Sequence, residues 1–320
     1  MIKVGLVGFG YWGPNLFRNL RQNTGFNIKW ILEPDKNKSS IINSEGVKHI
    51  LSNSLSQKEY DEVDALVIAT PPPLHYIQIK EALLQNKHLL VSKPVVTSCR
   101  QVDELLEISK KRKLIFESDL TYLFSEKVEK LKKIFDSKKY GNLIYIDSQR
   151  INLGIFQEHT NVVWDLLPHD LSIFSYLFNK NPKEIKIKEI FAFGLKTSST
   201  SYVEITIDNI PINIHLSWAS PVKVRKMLFV FEKALIVYND LDSYEPIKIY
   251  KFQKILNNLE KKSFLTSNVI GDIEIPNIKN IEPLSLLIES FRDSIINGTL
   301  KKNSVVNIRD NIKLIEEGLM

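Results

Sequence analysis

A short glycine-rich segment near the start of the chain has the residue types and spacing of a phosphate-binding loop. Residues 8–13 read GFGYWG, which matches the pattern G-x-G-x-x-G between a predicted strand and a predicted helix. Gly8 permits a tight turn, Gly10 lets the backbone approach a pyrophosphate, and Gly13 allows the helix to pack closely on the strand. The alternative is a glycine-rich turn that binds no ligand. We predict that a dinucleotide contacts Gly8, Gly10, Tyr11, Trp12 and Gly13, with its phosphates at the N-terminus of the following helix.

An acidic residue, Glu33, stands at the end of the second predicted strand. A carboxylate at this position can accept hydrogen bonds from the ribose hydroxyls of adenosine. The same charge repels the 2′-phosphate of NADP(H), so we predict NAD(H) as the cofactor in preference to NADP(H). Lys36 and Lys38 follow closely and weaken this preference. The alternative for Glu33 is an ordinary surface turn residue.

The elements that must position these residues alternate between strands and helices over the first third of the chain. Short apolar runs predict the strands, and apolar residues at helical spacing predict the helices between them. Since crossovers between parallel strands are right-handed, the expected α/β fold is a doubly wound parallel sheet, the Rossmann fold. The predicted strands are Lys3–Val7, Ile28–Leu32, Ala65–Ala69, His88–Val91 and Leu114–Ser118, and the predicted helices are Asn15–Gln22, Leu74–Gln85 and Ser98–Arg112.

After about residue 120 the pattern changes to two helices and many short β-branched or aromatic runs, which predicts an α+β domain with a largely antiparallel open sheet. Chains of this length usually divide into about two domains. We place an NAD-binding domain at residues 1–120 and a catalytic, substrate-binding and oligomerisation domain at residues 121–320. The predicted helices are Ser125–Ser137 and Asp165–Phe178, and the predicted strands are Leu143–Ile151, Ile185–Phe191, Ser201–Ile207, Ile212–Trp218, Lys226–Phe231 and Ala234–Tyr238. Residues 252–283 read as irregular, and helices return from Pro283, with Gly298 as a C-cap.

Several ordered motifs make the chain similar to the Gfo/Idh/MocA oxidoreductase family. Residues 69–75 (ATPPPLH) resemble the A-T-P-x-x-x-H stretch of that family, and residues 87–94 (KHLLVSKP) resemble its G-K-H-V-L-x-E-K-P stretch. Residues 164–170 (WDLLPHD) contain its D-x-x-x-H pair, and the resemblance covers nearly the whole chain. It implies a nicotinamide cofactor that also contacts Thr70, Pro71, His75, Ser92 and Lys93.

The resemblance further implies that Lys93 lies between nicotinamide and substrate, while Asp165 and His169 handle the proton. Hydride transfer at a carbinol carbon needs a matching proton transfer at its oxygen, for which a histidine is well suited. A lysine ammonium can polarise the carbonyl or hold the alkoxide. The alternatives are that Asp165 is a helix N-cap, His169 an interior residue and Lys93 an ordinary exposed lysine.

The substrate contacts are inferred by analogy with family members linked to nucleotide sugars and surface polysaccharides. Arginine suits a carboxylate or phosphate because its planar fork of donors matches those anions. The alternative for each cation is a charge on the surface of a strand, and we expect Trp218 to pack in the core or sheet. The predicted substrate contacts are Arg150, Asn152, Lys223 and Arg225.

Two residues depart from the family pattern. Ser92 stands in place of the glutamate of E-K-P, which removes a carboxylate beside Lys93, and Leu120 stands where many relatives have a histidine. These departures leave two hypotheses open. The first is an NAD-dependent dehydrogenase or reductase that acts on a sugar hydroxyl or keto group, with a nucleotide sugar or a cyclitol as the substrate. The second is an NAD-binding sensor or partner subunit that has lost catalysis.

Composition argues against several other classes of protein. The net charge of +6 comes from scattered lysines, and the densest run, residues 110–113, ends a predicted helix. We therefore predict no nucleic-acid binding. With Cys99 as the one cysteine, an intrachain disulfide is impossible and no metal site is predicted. We expect a cytoplasmic protein without a leader or membrane span, a small-molecule sugar as its partner, and a homodimer or homotetramer paired through the open sheet.

Overall fold

The structure is a computed structural model that describes residues 1–154, 156, 157, 159–252, 270–300 and 304–320. The chain folds into two compact units. Unit 1 comprises residues 1–125 and 281–316, and unit 2 comprises residues 126–280 and 317–320. The predicted boundary near residue 120 is close to the first break, but residues 281–316 group with unit 1, although the sequence analysis placed them in the second domain. The functions assigned to the two parts stay predictions.

Unit 1 is built around a six-stranded sheet. Its strands are β1 (Ile2–Val7), β2 (Phe26–Leu32), β3 (Lys48–Ile50), β4 (Ala65–Ile68), β5 (His88–Val91) and β6 (Phe116–Ser118). They are parallel and follow the order β3-β2-β1-β4-β5-β6, which confirms the predicted Rossmann fold. All of β4 is buried, because a parallel sheet covered on both faces leaves its central strands no solvent face.

The helices of this sheet lie close to their predicted positions, with three short elements in addition. The helices are α1 (Gly13–Gln22), α2 (Ser39–Ser44), α3 (Gln57–Asp61), α4 (Pro72–Leu84) and α5 (Cys99–Lys111), with 3-10 turns at Lys36–Lys38 and Thr121–Phe124. The elements β3, α2 and α3 contain 3, 6 and 5 residues and were not predicted. Segments of this length are too short to show a hydrophobic period.

Unit 2 is built around an eight-stranded sheet with two long helices. The strands are β7 (Leu143–Leu153), β8 (Glu184–Ile190), β9 (Thr200–Ile207), β10 (Ile210–Ser217), β11 (Ala219–Phe231), β12 (Ala234–Asn239), β13 (Ile247–Phe252) and β14 (Ile270–Glu274), and the helices are α6 (Glu126–Asp136) and α7 (Val162–Phe178). The strand order is β14-β13-β12-β11-β7-β10-β9-β8. Neighbouring strands are antiparallel except β7 and β10, which confirms the predicted, largely antiparallel sheet.

Two strands at one edge of this sheet were not predicted. β13 precedes the segment that the sequence analysis described as irregular, and β14 lies inside it, so that interpretation is wrong at residues 270–274. β14 pairs with β13, and this pairing with another strand makes a polar segment extended where the local pattern does not. Residues 253–269 of the same segment lie outside the described residues.

Strand β9 of unit 2 presents one face to the interior and one to solvent. On β9 the side chains of Val203, Ile205 and Ile207 are buried on the face that packs against α7, while Tyr202 on the opposite face is 49% exposed. Tyr202 stacks on His215 of β10 with ring centroids 4.5 Å apart. The predicted homodimer or homotetramer through this open face stays a prediction. Within the described ranges, no helix has both the length and the apolar character needed to cross a bilayer.

The last two helices are α8 (Pro283–Asn297) and α9 (Ser304–Leu319). Gly298 ends α8 in the left-handed conformation, with φ of 68°, which confirms the predicted C-cap. Phe291 of α8 stacks on Phe26 with centroids 6.0 Å apart, and Glu282 before α8 accepts hydrogen bonds from both terminal nitrogens of Arg18 on α1. These contacts explain why residues 281–316 group with unit 1.

Candidate active site

In the glycine loop after β1, the conformation requires glycine at Gly8 and Gly13, whereas Gly10 borders open space. Gly8 has φ of +94°, and a Cβ there would lie 2.8 Å from the backbone of Thr70. A Cβ at Gly13 would lie 2.5 Å from the carbonyl oxygen of Gly8. In contrast, a Cβ at Gly10 would meet no atom of the described chain within 4 Å. Gly8 and Gly13 are therefore required by the fold, whereas the space beside Gly10 can admit a ligand.

A methyl group at Gly10 should separate ligand binding from folding. We expect Gly10→Ala to keep the free energy of unfolding within about 0.5 kcal/mol of the parent value, as for a surface substitution without contacts. The same methyl group would occupy the space offered to a pyrophosphate, so NADH affinity should fall by tenfold or more, about 1.4 kcal/mol. Nicotinamide fluorescence measures the affinity and denaturant unfolding the stability. Gly8→Ala is the comparison and should lose both, because alanine is strained at this φ.

Glu33 is buried at the end of β2, so the alternative of an ordinary surface turn residue is wrong. Its Oε2 accepts a hydrogen bond from Phe9 N at 2.6 Å, and its Oε1 accepts one from Asp35 N at 3.0 Å. The backbone of Glu33 is also held, because His49 Nε2 lies 2.8 Å from its carbonyl oxygen. The carboxylate thus faces the glycine loop in a fixed orientation. Such a group can accept hydrogen bonds from hydroxyls and opposes a phosphate.

His75 on α4 connects the turns that follow β4 and β5. The side chain is fully buried, with Nε2 2.7 Å from the carbonyl oxygen of Thr70 and Nδ1 2.8 Å from that of Pro94. Burial lowers the pKa of the imidazole, although these carbonyl groups act in the opposite direction. Ser92 Oγ lies 3.5 Å from Nε2. Because both ring nitrogens already face protein atoms, His75 can affect a cofactor by positioning the turns that carry Thr70 and Lys93.

Asp119, a buried carboxyl group that was not predicted, contacts the glycine loop and lies within electrostatic range of Lys93. Its Oδ2 accepts a hydrogen bond from the indole Nε1 of Trp12, and its Oδ1 accepts one from Thr121 Oγ1 at 2.6 Å. Burial raises the pKa of Asp119, and the positive charge of Lys93 opposes this shift. Burial also raises the pKa of Glu117, two residues earlier, to about 8, so this group is largely neutral at pH 7. The sequence feature that could have indicated Asp119 is its position directly after a strand, at the edge of the sheet where ligands bind.

In unit 2, Asp165 and His169 lie one helical turn apart on α7, on the same side of the helix. The alternative of Asp165 as the N-cap is wrong, since α7 begins earlier and Asn161 Oδ1 accepts the hydrogen bond from Trp164 N at 3.0 Å. Asp165 Oδ2 accepts a hydrogen bond from the indole Nε1 of Trp218 at 2.8 Å. Trp218 is 1% exposed, as a packing residue should be, and it also fixes this carboxylate.

Arg150 is held by a buried ion pair. Its Nε donates a hydrogen bond to Oδ2 of Asp170 on α7, and Ser148 Oγ donates to Oδ1 of the same carboxylate at 2.7 Å. Arg150 is 4% exposed and Asp170 is fully buried, so the alternative of a surface strand charge is wrong for Arg150. The ion pair joins β7 to the helix that carries His169. The predicted contact of Arg150 with the substrate stays a prediction.

The other predicted substrate contacts lie on β7 and β11. Asn152 is half-buried, Lys223 is exposed, and Arg225 is half-buried with Nη1 3.6 Å from Oδ2 of Asp240. The charge of Arg225 lowers the pKa of Lys223, with burial as the smaller cause. Two cations close enough to affect each other can together bind an anion. Among the described residues, no group of three His, Cys, Asp or Glu side chains is placed to hold a metal ion.

Comparison with known proteins relates the chain to oxidoreductases. The family model described as "Oxidoreductase family, NAD-binding Rossmann fold" matches residues 2–119. An uncharacterized oxidoreductase of Streptococcus pneumoniae is 28% identical over 165 residues, which are 51% of this chain and 44% of that protein, so the match spans about half of its length. Inositol 2-dehydrogenase of Corynebacterium glutamicum is 22% identical over 250 residues, which are 73% of this chain and 72% of that protein.

A solved structure has the same fold over the entire chain. UDP-N-acetylglucosamine 3-dehydrogenase GnnA from Acidithiobacillus ferrooxidans superimposes with a TM-score of 0.79, covering 100% of this chain and 99% of that one. The two sequences are 16% identical. At this level of identity the similarity establishes the fold, and the substrate of that enzyme remains a property of that enzyme.

Proposed function

Residues 2–119 of the chain belong to the Gfo/Idh/MocA family of NAD-binding oxidoreductases, and from this we propose that the protein is an NAD-dependent dehydrogenase or reductase. The proposed reaction transfers a hydride between nicotinamide and a hydroxyl or keto group of a sugar. The proposed substrate is a nucleotide sugar or a cyclitol of surface-polysaccharide metabolism. The observation that carries the proposal is the open space beside Gly10, in a loop whose other two glycines the fold requires. The relatives named for UDP-N-acetylglucosamine and inositol support a sugar as the substrate.

The glycine loop and Glu33 would hold the cofactor, which, when bound, gives or takes the hydride at C4 of its nicotinamide. The N–H groups at the start of α1 offer donors to a pyrophosphate. The Glu33 carboxylate would accept hydrogen bonds from the ribose hydroxyls, and its charge favours NAD(H) over NADP(H). Asp119 would fix the indole of Trp12 at the same loop through the hydrogen bond described above.

The residues assigned to the substrate supply acid–base and electrostatic chemistry. An imidazole nitrogen of His169 would take the hydroxyl proton during oxidation and return it during reduction. The Lys93 ammonium would stabilise negative charge that develops on the substrate. Asp165, with one oxygen held by Trp218, would orient a sugar hydroxyl or the imidazole.

The second candidate, an NAD-binding protein without catalysis, rests on Ser92 and Leu120. Leu120 is fully buried and offers no acid–base group. Asp119 is a carboxyl group within electrostatic range of Lys93; burial raises its pKa, and the charge of Lys93 opposes this shift. The site therefore contains a carboxyl group near Lys93 at another position, and hydride transfer to a sugar distinguishes the enzyme from the inactive subunit.

Titration with NADH and NADPH, followed by nicotinamide fluorescence, is the first test of the enzyme proposal. Binding of NADH, followed by hydride transfer to or from a panel of nucleotide sugars and cyclitols, is the expected result. NADH binding without turnover on any sugar would favour the inactive subunit. Absence of binding for both cofactors would contradict the proposed function altogether.

Neutralising Glu33 should change the choice of cofactor. We expect Glu33→Gln to weaken NADH binding by about tenfold, since hydrogen bonds to a charged acceptor are worth about 1.5–3 kcal/mol. NADPH binding should stay the same or improve, because the repulsion of the 2′-phosphate is removed. Asp35→Asn is the matched control, because it removes a nearby negative charge that contacts Asn37 N and not the glycine loop. An unchanged ratio of NADH to NADPH affinity in Glu33→Gln would exclude Glu33 as the ribose ligand.

A further inference from the structure

Three aromatic side chains in unit 2 form a continuous row that begins at Asp165. Trp218 donates its indole N–H to Asp165, and Phe156 packs against Trp218 at an interplanar angle of 84°, with centroids 6.4 Å apart. Phe193 then packs against Phe156 with centroids 5.9 Å apart and an interplanar angle of 58°. We call Trp218, Phe156 and Phe193 the aromatic row. It extends from a candidate catalytic carboxylate along two loops.

The aromatic row runs from the interior to solvent. Trp218 is 1% exposed, Phe156 is 37% exposed and Phe193 is 73% exposed. Exposed aromatic rings are unfavourable in water, and a contiguous group of them beside polar catalytic candidates is typical of a ligand-binding surface. The tilted contact between Phe156 and Phe193 leaves ring surface available on the outer side of the row. A planar ring could stack there at little conformational cost.

Hydrogen bonds hold the two loops that carry the aromatic row. Thr197 Oγ1 donates to the carbonyl oxygen of Gln157 at 3.0 Å, which connects the loop of Phe193 to the loop of Phe156. Val162 N donates to the carbonyl oxygen of Ser198 at 3.1 Å, and Trp218 N donates to that of Ser199 at 2.8 Å. These hydrogen bonds connect Gln157 to the loop of Phe193, and connect that loop to the start of α7 and to the end of β10.

Positive charges lie at the same end of the sheet as the aromatic row. Lys223 and Arg225 lie in the first half and at the middle of β11, a few residues after Trp218. Ala219, the first residue of β11, pairs with Leu153 at the end of β7, just before the loop of Phe156. The ion pair with Asp240 offsets part of the charge of Arg225, whereas Lys223 is exposed. These cations suit a diphosphate group. A free cyclitol carries neither a planar ring nor a phosphate.

We propose that the aromatic row binds the base of a nucleoside diphosphate sugar, whose sugar lies at Asp165 and whose diphosphate lies at Lys223 and Arg225. The proposal rests on the proposed function and narrows its substrate to the nucleotide-linked class. Stacking on an aromatic ring recognises any base through its flat face, and the cations recognise the phosphates. Phe193 and Phe156 thereby become residues that determine specificity.

The test is the affinity for UDP, measured by calorimetry on protein saturated with NADH, so that the cofactor site is occupied. Phe193→Ala should weaken UDP binding by at least about fivefold, the lower end for loss of one stacked base. Its effect on inorganic pyrophosphate should be less than twofold, since pyrophosphate has no base. Phe193→Leu, which keeps an apolar side chain without a ring, should behave like Phe193→Ala. Phe191→Ala is the matched control, because Phe191 is 60% exposed on the same loop and lies outside the row.

Each outcome decides a different point. Equal UDP affinity of Phe193→Ala and Phe191→Ala would overturn the proposal. An altered oligomeric state of Phe193→Ala with unchanged UDP affinity would also overturn it, because this surface would then be an interface between copies of the chain. Binding of NADH without any binding of UDP would overturn the base site and leave the dehydrogenase proposal intact. Failure to bind NADH at all would instead count against the proposed function.

Discussion

Replacing His169 with asparagine should lower kcat on the sugar substrate by about two to four orders of magnitude, the usual contribution of a general acid–base group. Asparagine keeps a polar side chain at this position of α7 but cannot take up a proton in the physiological range. NADH affinity should stay within about twofold, because the proposed cofactor contacts lie in unit 1. Steady-state kinetics and NADH titration measure the two effects separately.

The control for this variant is a second histidine close to it in the sequence. His159 is exposed in the loop before α7, so His159→Asn removes an imidazole without touching the proposed pair. Its kcat should equal that of the parent protein. Equal turnover of His169→Asn and the parent would remove His169 from the mechanism and leave Asp165 and Lys93 as the candidates.

Removing the carboxylate of Asp170 should destabilise the protein by about 3–5 kcal/mol, because it leaves the charge of Arg150 buried without its partner. The hydrogen bond from Ser148 Oγ would be lost at the same time. We expect Asp170→Ala to shift the urea midpoint of the transition that unfolds unit 2. Since Asp170 follows His169 on α7, turnover of the folded fraction should fall as well.

An exposed ion pair in the same unit provides the comparison. Lys180 and Asp208 lie 2.7 Å apart with both side chains at least half exposed, so Asp208→Asn should cost less than about 1 kcal/mol. Asparagine is used because Asp208 has φ of 50°, a left-handed conformation that asparagine tolerates better than alanine. The double variant Arg150→Met with Asp170→Leu should recover much of the stability lost in Asp170→Ala, because it leaves no buried charge. If Asp170→Ala and Asp208→Asn cost the same, the buried pair does not stabilise the attachment of α7 to β7.

Asp119 is relevant to the replacement of the family glutamate by Ser92, because both positions concern a carboxyl group near Lys93. Ser92 stands where the family pattern has a carboxylate beside Lys93, and the charge of Lys93 acts on the buried carboxyl group of Asp119 in the turn after β6. The two positions are distant in sequence, and the parallel sheet places the ends of β5 and β6 next to each other. A single aligned motif therefore understates what the folded site contains.

The amino-acid sequence by itself determined the features that depend on neighbouring residues. The glycine loop occupies six consecutive positions between a strand and a helix, and the short apolar runs of β1, β2, β4 and β5 are visible in the sequence itself. The same holds for Gly298, whose left-handed conformation ends α8. In each case the physical cause, backbone sterics or burial of one face, acts over a few residues.

Tertiary structure alone decided which distant residues meet. Trp12 and Asp119 are 107 positions apart, and Trp218 and Asp165 are 53 apart, so no local pattern indicates these hydrogen bonds. Likewise, the apolar face of α8 predicts burial but not its partners, which are α1 and the 3-10 turn Thr121–Phe124 of unit 1. Local sequence determines which face of an element is buried. The element that packs against this face depends on how all elements pack together. The contacts of Arg150, Trp218 and Asp119 depend on this tertiary packing.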